Sequence, residues 1–229
     1  MKPTIKIVVS EHGPYLVYGG PPLAVETIAP NAEGGSWEWE RGRSFDVKSS
    51  YALCRCGHSK TKPFCDGTHK AIAFDGQETA SRVPFANRAK RIEGPELILQ
   101  DAEDLCSAAR FCDNFGSIWN LVSENDSPDA RKLAIHEAAR CPSGRLVLGD
   151  RKTGAPVEPE FEPSIGVVED PAESCSGPLA VRGGIPIESH AGAAYEVRNR
   201  VTLCRCGESK NKPFCDGSHI EAGFNDGLT

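Results

Sequence analysis

The sequence predicts a mostly β protein of the α+β class, in which two β-rich units flank a small helical insert. A stretch rich in cysteine, glycine and histidine occurs twice, and its two copies lie 150 positions apart. A β-type lead precedes each copy, and the composition between the copies changes towards helix-forming residues. We therefore interpret residues 1–83 as the lead strands and first repeat, 84–166 as the insert and 167–229 as the second repeat.

The lead of the first repeat has the pattern of β-strands. Apolar residues alternate with polar ones over residues 4–9, and a β-type run over 15–18 ends at Gly19-Gly20. Two glycines between β-type runs predict a hairpin turn, because both turn positions accept positive φ. Alternation predicts another strand within 36–47, and a last strand over 51–53 leads into the first cysteine.

The same order of features returns near the other end of the chain. Residues 177–186 match 13–22 in their β-rich composition and their glycine pair, and residues 195–203 lead into the second cysteine stretch. The repeated unit is therefore larger than the cysteine motif. A fused pair of related units is the simplest explanation.

The insert carries helix signals. Ser127 is a candidate helix N-cap, a proline follows at the first helical position, and apolar residues recur at helical spacing up to residue 141. A second helix is predicted over 101–111, a short strand over 146–148 and a loop over 153–163.

Composition and charge limit the classes of function. The formal charge of −6 gives no support for nucleic-acid binding, which depends on clustered Lys and Arg. The apolar run near the N-terminus is too short for a signal peptide, and no apolar stretch approaches the ~20 residues of a membrane span. We therefore expect a cytoplasmic protein with no nucleic-acid or membrane partner. Its ten cysteines are then metal ligands or free thiols rather than disulfides.

Catalysis by protein side chains has no support in the sequence. The order of residues typical of a Ser-His-Asp triad, a phosphate loop or a dinucleotide fingerprint is not found. We therefore expect a protein that is not an enzyme.

Each copy of the motif offers three thiols and one imidazole within 16 residues, at the spacing C-x-C-x8-C-x3-H. The candidate ligands are Cys54, Cys56, Cys65 and His69 in the first copy and Cys204, Cys206, Cys215 and His219 in the second. Such a set suits tetrahedral coordination, in a zinc or an iron-sulfur site. The C-x-C pair is expected to bind one metal atom. Cys65 and His69 are four residues apart, so they would share a second metal if they lie on one face of a helix.

Both copies read C-R-C-G-x-S-K-x-K-P-F, followed by C-D-G-T-H or C-D-G-S-H. They resemble the mitoNEET-like CDGSH iron-sulfur family, whose full pattern both copies satisfy. The resemblance implies one [2Fe-2S] cluster in each cassette, with the C-x-C cysteines on one iron and the third cysteine and the histidine on the other. Single-cassette members pair as intertwined homodimers, so two copies imply a monomer with an internal pseudo-dimer.

The resemblance also implies a role in one-electron transfer, redox sensing or cluster transfer, with a redox partner protein or a cluster acceptor as partner. A zinc-binding structural or interaction module is the alternative, because the same ligand types bind zinc.

A histidine in place of one thiolate changes the electrostatics of such a cluster. Three thiolates on [2Fe-2S]²⁺ give a net charge one unit less negative than four, so adding an electron costs less. Two histidines move the potential from about −400 mV to roughly −150 to +300 mV, and one histidine should fall between these ranges or overlap the upper one. The free imidazole nitrogen also titrates, so we expect the potential to depend on pH.

Four cysteines lie outside the two motifs, namely Cys106, Cys112, Cys141 and Cys175. We interpret them as buried or idle thiols, because free cysteine packs as a small hydrophobe. Cys141-Pro142 resembles the closing Cys-Pro of bacterial ferredoxin motifs, and the insert is similar to the divergent single-cluster ferredoxin domains found with CDGSH cassettes. The compact C-x2-C-x2-C run of such motifs is missing. A third cluster in the insert is therefore the alternative.

Basic residues surround both motifs, although the whole chain is acidic. They are Arg55, Lys60, Lys62 and Lys70 in the first copy and Arg205, Lys210 and Lys212 in the second. Charge compensation of an anionic cluster and docking of an acidic partner are the functional interpretations. A solvated basic face is the structural one.

Overall fold

The computed structural model describes residues 4–124 and 127–228. Within these ranges the strands are β1 (Lys6–Val9), β2 (Tyr15–Tyr18), β3 (Leu23–Pro30), β4 (Ser36–Phe45), β5 (Ser50–Leu53), β6 (Lys90–Glu93), β7 (Leu97–Asp101), β8 (Leu146–Asp150), β9 (Ser164–Asp170), β10 (Cys175–Arg182), β11 (Ile187–Ser189) and β12 (Arg200–Leu203). The helices are α1 (Thr68–Ala71), α2 (Phe85–Arg88), α3 (Ile118–Ser123), α4 (Pro128–Arg140) and α5 (Ser218–Glu221), and 3₁₀ turns lie at Glu103–Leu105 and Pro171–Glu173. Strands make up 31% and helices 17% of the structure, which confirms the mostly β class.

The two repeats exchange strands. One sheet has the order β11-β1-β2-β5 and the other has the order β12-β10-β9-β3-β4. The first sheet is thus built from the first repeat except for β11, which pairs in parallel with β1. Conversely, β3 of the first repeat pairs in parallel with β9 in the second sheet. Each half completes the sheet of the other, so the two repeats form the intramolecular pseudo-dimer that was predicted.

The pairing before each cysteine motif is the same in both halves. Tyr15 of β2 lies opposite Leu53 of β5, and Leu179 of β10 lies opposite Leu203 of β12. Both sheets contribute to a single apolar core, whose buried members include Ile7, Val17, Ile165, Val167, Val181 and Leu203. Burial of this shared core is the main stabilisation of the pseudo-dimer, because apolar burial dominates folding free energy.

The predicted hairpin turn at Gly19-Gly20 is wrong. Strands β2 and β3, which flank it, lie in different sheets, so these glycines mark a crossover from one sheet to the other. Both have positive φ, 82° and 63°, and the equivalent pair Gly183-Gly184 has 75° and 65°. A glycine pair with positive φ fits a hairpin turn and fits this crossover equally well, so the glycines alone could not distinguish the two connections. The hairpin of the lead instead joins β1 to β2.

The insert combines helices with a sheet. Strands β6, β7 and β8 form an antiparallel sheet, and α3 and α4 share an apolar core with it. Helix α4 confirms the predicted segment from Ser127, whose hydroxyl accepts a hydrogen bond from the Ala130 N–H at 3.1 Å. Strand β8 covers the predicted strand over 146–148, whereas the other two strands of this sheet were not foreseen.

The predicted helix over 101–111 is wrong. Only the 3₁₀ turn at Glu103–Leu105 forms there, and the backbone is irregular afterwards. Ala108 and Arg110 have φ values of +57° and +60°, in the left-handed region that no α-helix of L-residues can contain. The composition of this segment favours a helix, but its contacts with the second repeat, described below, hold it in an irregular conformation.

Arg200 of β12 ties the insert to the second repeat. Its guanidinium is buried and donates to the carbonyls of Ala138, Ala139 and Cys141 at 2.5, 2.9 and 3.0 Å. These carbonyls end α4, where the helix has unpaired acceptors and partial negative charge. One buried cation therefore caps the helix and fixes its end against the second sheet.

Glu137 of α4 generates a testable prediction on stability. It is fully buried, and neither carboxylate oxygen has a hydrogen-bond partner within the described residues. Burial, with a smaller effect of nearby Asp113, raises the pKa of Glu137 to about 8. Its folded-state pKa is above its unfolded value, so the free energy of unfolding should fall as pH rises from about 4.5 to about 8.

The substitution Glu137→Gln keeps the shape and removes this ionisation. The variant should gain stability over the wild type with rising pH, by up to about 1.4 kcal/mol per pH unit in that window. Thermal unfolding of both proteins at a series of pH values measures the gain. Glu40→Gln, at an exposed position on β4, is the matched control. A constant difference between wild type and Glu137→Gln would contradict a buried, protonated Glu137.

Candidate metal centres

Each cysteine motif begins where a strand ends. Strand β5 ends at Leu53, and the loop after Cys54 returns alongside it, so that Leu53 and Phe64 form a β-bridge. The Cys54 N–H donates to the Pro63 carbonyl at 2.8 Å, and the Cys65 N–H donates to the Ala52 carbonyl at 2.9 Å. These bonds bring the third cysteine beside the first pair.

The second motif repeats this arrangement. Leu203 and Phe214 form the equivalent bridge, and the N–H groups of Cys204 and Cys215 donate to Pro213 and Thr202, both at 2.9 Å. In both copies the peptide bond before the loop proline is cis.

The polar residues of the motif hold its loop in shape. The Ser59 hydroxyl donates to the Phe64 carbonyl at 2.6 Å, the Lys62 amine donates to the Ser59 carbonyl at 2.8 Å, and Asp66 accepts from the Lys60 N–H at 2.8 Å. Ser209, Lys212 and Asp216 make the same three bonds in the second loop. These residues therefore fix the loop and, through it, the spacing of the ligands.

The candidate ligands lie in pairs. The sulfurs of Cys54 and Cys56 are 3.8 Å apart, and those of Cys204 and Cys206 are 3.6 Å apart. In each copy the third cysteine sulfur lies 3.4 Å from Nδ1 of the histidine. A tetrahedral metal with metal–sulfur bonds of about 2.3 Å separates two coordinated sulfurs by about 3.8 Å. Each pair therefore has the spacing of two ligands on one metal atom.

A turn, and not a helix face, brings Cys65 and His69 together. Helix α1 begins at Thr68, after Cys65, and its N-cap Gly67 has φ +91°. The Asp66 carboxylate accepts from the Thr68 N–H at 3.0 Å and closes the turn. The expectation that both ligands project from one helix is therefore corrected. A left-handed glycine ends any regular spacing between them, and α5 begins in the same way after Gly217.

Backbone N–H groups of the second motif point at its cysteine sulfurs. The Gly217 N–H lies 3.4 Å from Cys215 Sγ, and the Glu208 N–H lies 3.4 Å from Cys206 Sγ. Such donors stabilise thiolates. Burial nevertheless raises the pKa of Cys56 to about 11 and that of Cys215 well above its ordinary value. Metal binding to these thiols must therefore release protons.

The arginines of the motifs are buried and do not belong to a basic face. Arg55 is 1% exposed and donates to the carbonyls of Ser10 and Gly76 at 3.3 and 2.5 Å. Arg205 is 3% exposed, donates to Glu169 at 2.7 Å and also pairs with Asp226. Neither can meet a partner protein. Of the basic residues named above, Lys60, Lys70 and Lys210 are exposed.

The two centres are neighbours across the pseudo-twofold axis. A Cβ placed on Gly57 would lie 2.3 Å from the Cys206 carbonyl oxygen, and one on Gly207 would lie 2.8 Å from that of Cys56. Only glycine permits this approach of the two loops. The Tyr15 hydroxyl donates across the interface to the Cys204 and Pro213 carbonyls, at 2.7 and 2.9 Å. The motif pattern gives no sign of this role of Tyr15, because its hydrogen-bond partners belong to the other repeat.

Three of the remaining cysteines converge in the insert. Cys106, Cys112 and Cys141 line one small cavity of about 20 Å³, and Arg110 and Arg145 line it with them. The Ser143 hydroxyl lies 3.5 Å from Cys141 Sγ. Cys175 is outside this lining and buried on β10. These three cysteines therefore lie around one cavity, and Cys175 lies elsewhere.

Two further observations concern the described residues, 4–124 and 127–228. No three His, Cys, Asp or Glu side chains there are grouped so that they could hold a single metal ion. None of the helices there combines the length and apolar character required to cross a membrane.

Comparison with known protein families agrees with this geometry. The family described as iron-binding zinc finger CDGSH type matches residues 12–70 and 176–220. The family described as divergent 4Fe-4S mono-cluster matches residues 92–151, between them. No curated protein and no solved structure matches the chain.

These matches define an iron-sulfur protein. The chain carries two CDGSH cassettes in tandem, with a divergent 4Fe-4S-type segment between them.

Arg205 generates a prediction on the second centre. Arg205→Met keeps much of the volume but leaves Glu169 and Asp226 buried without their cation. Breaking such a pair should lower the free energy of unfolding by about 3–5 kcal/mol. Urea unfolding of the loaded protein measures the loss. Arg91→Met is the control, because Arg91 is exposed on β6 and pairs with Glu93. A loss no larger than that of the control would show that Arg205 does not hold this loop.

Proposed function

We propose that each CDGSH cassette binds one [2Fe-2S] cluster through three cysteines and one histidine, and that the protein carries single electrons between partner proteins. The arrangement of the ligands in two pairs carries this proposal. One pair would bind each iron, with Cys54 and Cys56 on one and Cys65 and His69 on the other. In the second cassette the pairs are Cys204 with Cys206 and Cys215 with His219.

The pairs favour a dinuclear cluster over zinc. A single zinc ion would draw all four ligands around one point. In the described residues only the two members of each pair are in contact, and no three candidate ligands are grouped so that they could hold one metal ion. The family match, whose description names both iron and zinc finger, does not decide between them. The pair geometry therefore supports iron-sulfur against the zinc module.

The chain supplies the surroundings of a redox group. A bound cluster contributes one-electron chemistry, and the protein sets its charge and exposure. Backbone N–H groups at the sulfurs, and in the first cassette the buried guanidinium of Arg55, offset negative charge, which favours uptake of an electron. These features stabilise charge on a bound group and assemble no acid, base or nucleophile, so we propose a carrier in the cytoplasm and not an enzyme. Its partner would be a redox protein or, if clusters are delivered, a cluster acceptor.

The insert supports a third cluster. Three cysteines meet in one cavity beside two guanidinium groups, and the matched family is described as holding a single 4Fe-4S cluster. Cys106, Cys112 and Cys141 would be its cysteine ligands.

Iron and sulfide counts test the whole assignment. The wild type, purified without oxygen, should contain eight irons and eight sulfides per chain, from two [2Fe-2S] clusters and one 4Fe cluster. Cys112→Ala should lower both counts to four, because the insert loses a ligand. Cys175→Ala is the matched control and should leave eight. A colourless protein with stoichiometric zinc would overturn the proposal, and four irons in the wild type would remove the third cluster alone.

Replacing the two histidines separates electron transfer from cluster delivery. The double variant His69→Cys, His219→Cys should keep its visible colour, since four thiolates bind [2Fe-2S], and its potentials should fall because each site gains negative charge. Redox titration measures the fall. If the protein works as an electron carrier, the double variant should still exchange electrons with a strong reductant. Loss of cluster transfer to an apo-ferredoxin, with electron exchange unchanged, would instead indicate delivery as the function.

A further inference from the structure

The two cassettes share a motif but differ in exposure. Cys65 and His69 are partly exposed, whereas Cys215 and His219 are 2% and 3% exposed. The sulfur-to-nitrogen distance is 3.4 Å in both. The difference therefore lies outside the ligand sets.

Residues 106–111 of the insert cover the second centre. A Cβ placed on Gly217 would lie 3.2 Å from the Ala108 Cβ and 4.0 Å from the Cys106 carbonyl oxygen. A Cβ on the equivalent Gly67 would have no heavy atom within 4 Å in the described structure. We call residues 106–111 the cover.

The cover is firmly anchored. Phe111 is 2% exposed and packs with Ile28, Val168 and Ala180. Arg110 donates two hydrogen bonds to Asp170, at 2.8 and 2.9 Å, and lies 3.3 Å from Glu173. Ala108 and Arg110 both have positive φ, a conformation that is strained for non-glycine residues and persists only when contacts hold it.

The first centre faces an open depression of about 480 Å³. His69 lines it together with Glu11, His12, Lys70, Phe74 and Asp75. Glu11, His12 and Lys70 are exposed. Solvent and a partner surface can therefore reach the histidine of the first cassette.

The second centre lies between two other candidate centres. On one side Cys106, at the start of the cover, also lines the three-cysteine cavity of the insert. On the other side Gly207 and Cys56 bring the two cassette loops into contact. The insert site, the second centre and the first centre are thus connected in series.

We propose that the first centre is the exchange port of the protein and that the second is a covered relay between the port and the insert. This inference rests on the proposed cluster assignment. With clusters bound, a one-electron acceptor protein would take one electron at the port, the relay would replace it, and a one-electron donor protein acting through the insert would restore the relay. Exchange of iron with solvent is likewise confined to the port.

Chelator kinetics at a fixed neutral pH test the inference. The loaded full-length protein is mixed with excess EDTA, and loss of the [2Fe-2S] clusters is followed by visible circular dichroism. We expect two phases of equal amplitude whose rates differ about tenfold or more, since only one site is open without local unfolding. His69→Cys should abolish the fast phase and His219→Cys the slow one. A single phase, or a fast phase that belongs to His219, would overturn the inference.

The cover is tested by breaking its ion pair. Arg110→Ala should accelerate the slow phase about tenfold, because the charge-assisted pair that holds the cover in place is lost, and it should leave the fast phase unchanged. Asp170→Asn breaks the same pair from the second repeat and should have the same effect, even if Arg110→Ala disturbs the insert. Arg91→Ala is the control within the insert and should change neither phase.

Unchanged slow phases in both cover variants would overturn the role of residues 106–111. Absence of [2Fe-2S] signals before EDTA is added would instead refute the cluster assignment, so the two failures are distinguishable.

Discussion

The exchange of strands between the two repeats is the constraint on which the rest of the structure depends. Parallel pairing of β1 with β11 and of β3 with β9 makes each sheet incomplete without the other half. The ladder hydrogen bonds and the shared apolar core then fix one orientation of the halves. That orientation brings the two C-x-C loops together at Gly57 and Gly207. The closeness of the two centres is therefore a consequence of the fold and requires no separate interaction between them.

Prediction from sequence succeeded where the determinants are local. The ligand motifs, the strands that lead into them and helix α4 depend on spacing and capping within about 16 residues. Prediction failed where the local structure depends on residues that are distant in the sequence. The crossover at Gly19-Gly20 depends on which sheet receives β3, and the irregular backbone at Ala108 depends on packing against the second cassette. Likewise, Arg55 and Arg205 look like surface charges in the motif, and only the tertiary structure buries them.

The same motif occurs in two different surroundings, so the two sites differ in solvent exposure. The three cysteines and the histidine are the same in both cassettes, so any difference in behaviour must come from exposure and from charges beyond these four residues. The insert provides that difference, because it lies against Gly217 and leaves Gly67 open. An insertion between duplicated units can thus specialise one copy without altering a ligand. Two homodimeric subunits could not achieve this, since identical chains would carry identical covers.

The buried arginines of the two motifs differ in their partners, and this difference would make the two sites differ in how readily they are reduced. Arg205 meets two carboxylates, Glu169 and Asp226, so its charge is largely neutralised close to the second centre. Arg55 instead donates to two backbone carbonyls and lies over the rings of Tyr15 and Phe74, so its positive charge remains. Reduction adds a negative charge, which a remaining cation stabilises and a low-dielectric, neutralised site does not. The exposed acids near His69 act through water and are screened by salt. With the clusters proposed above in place, the first centre would therefore be the more readily reduced, and electrons would pass from the covered relay to the open port.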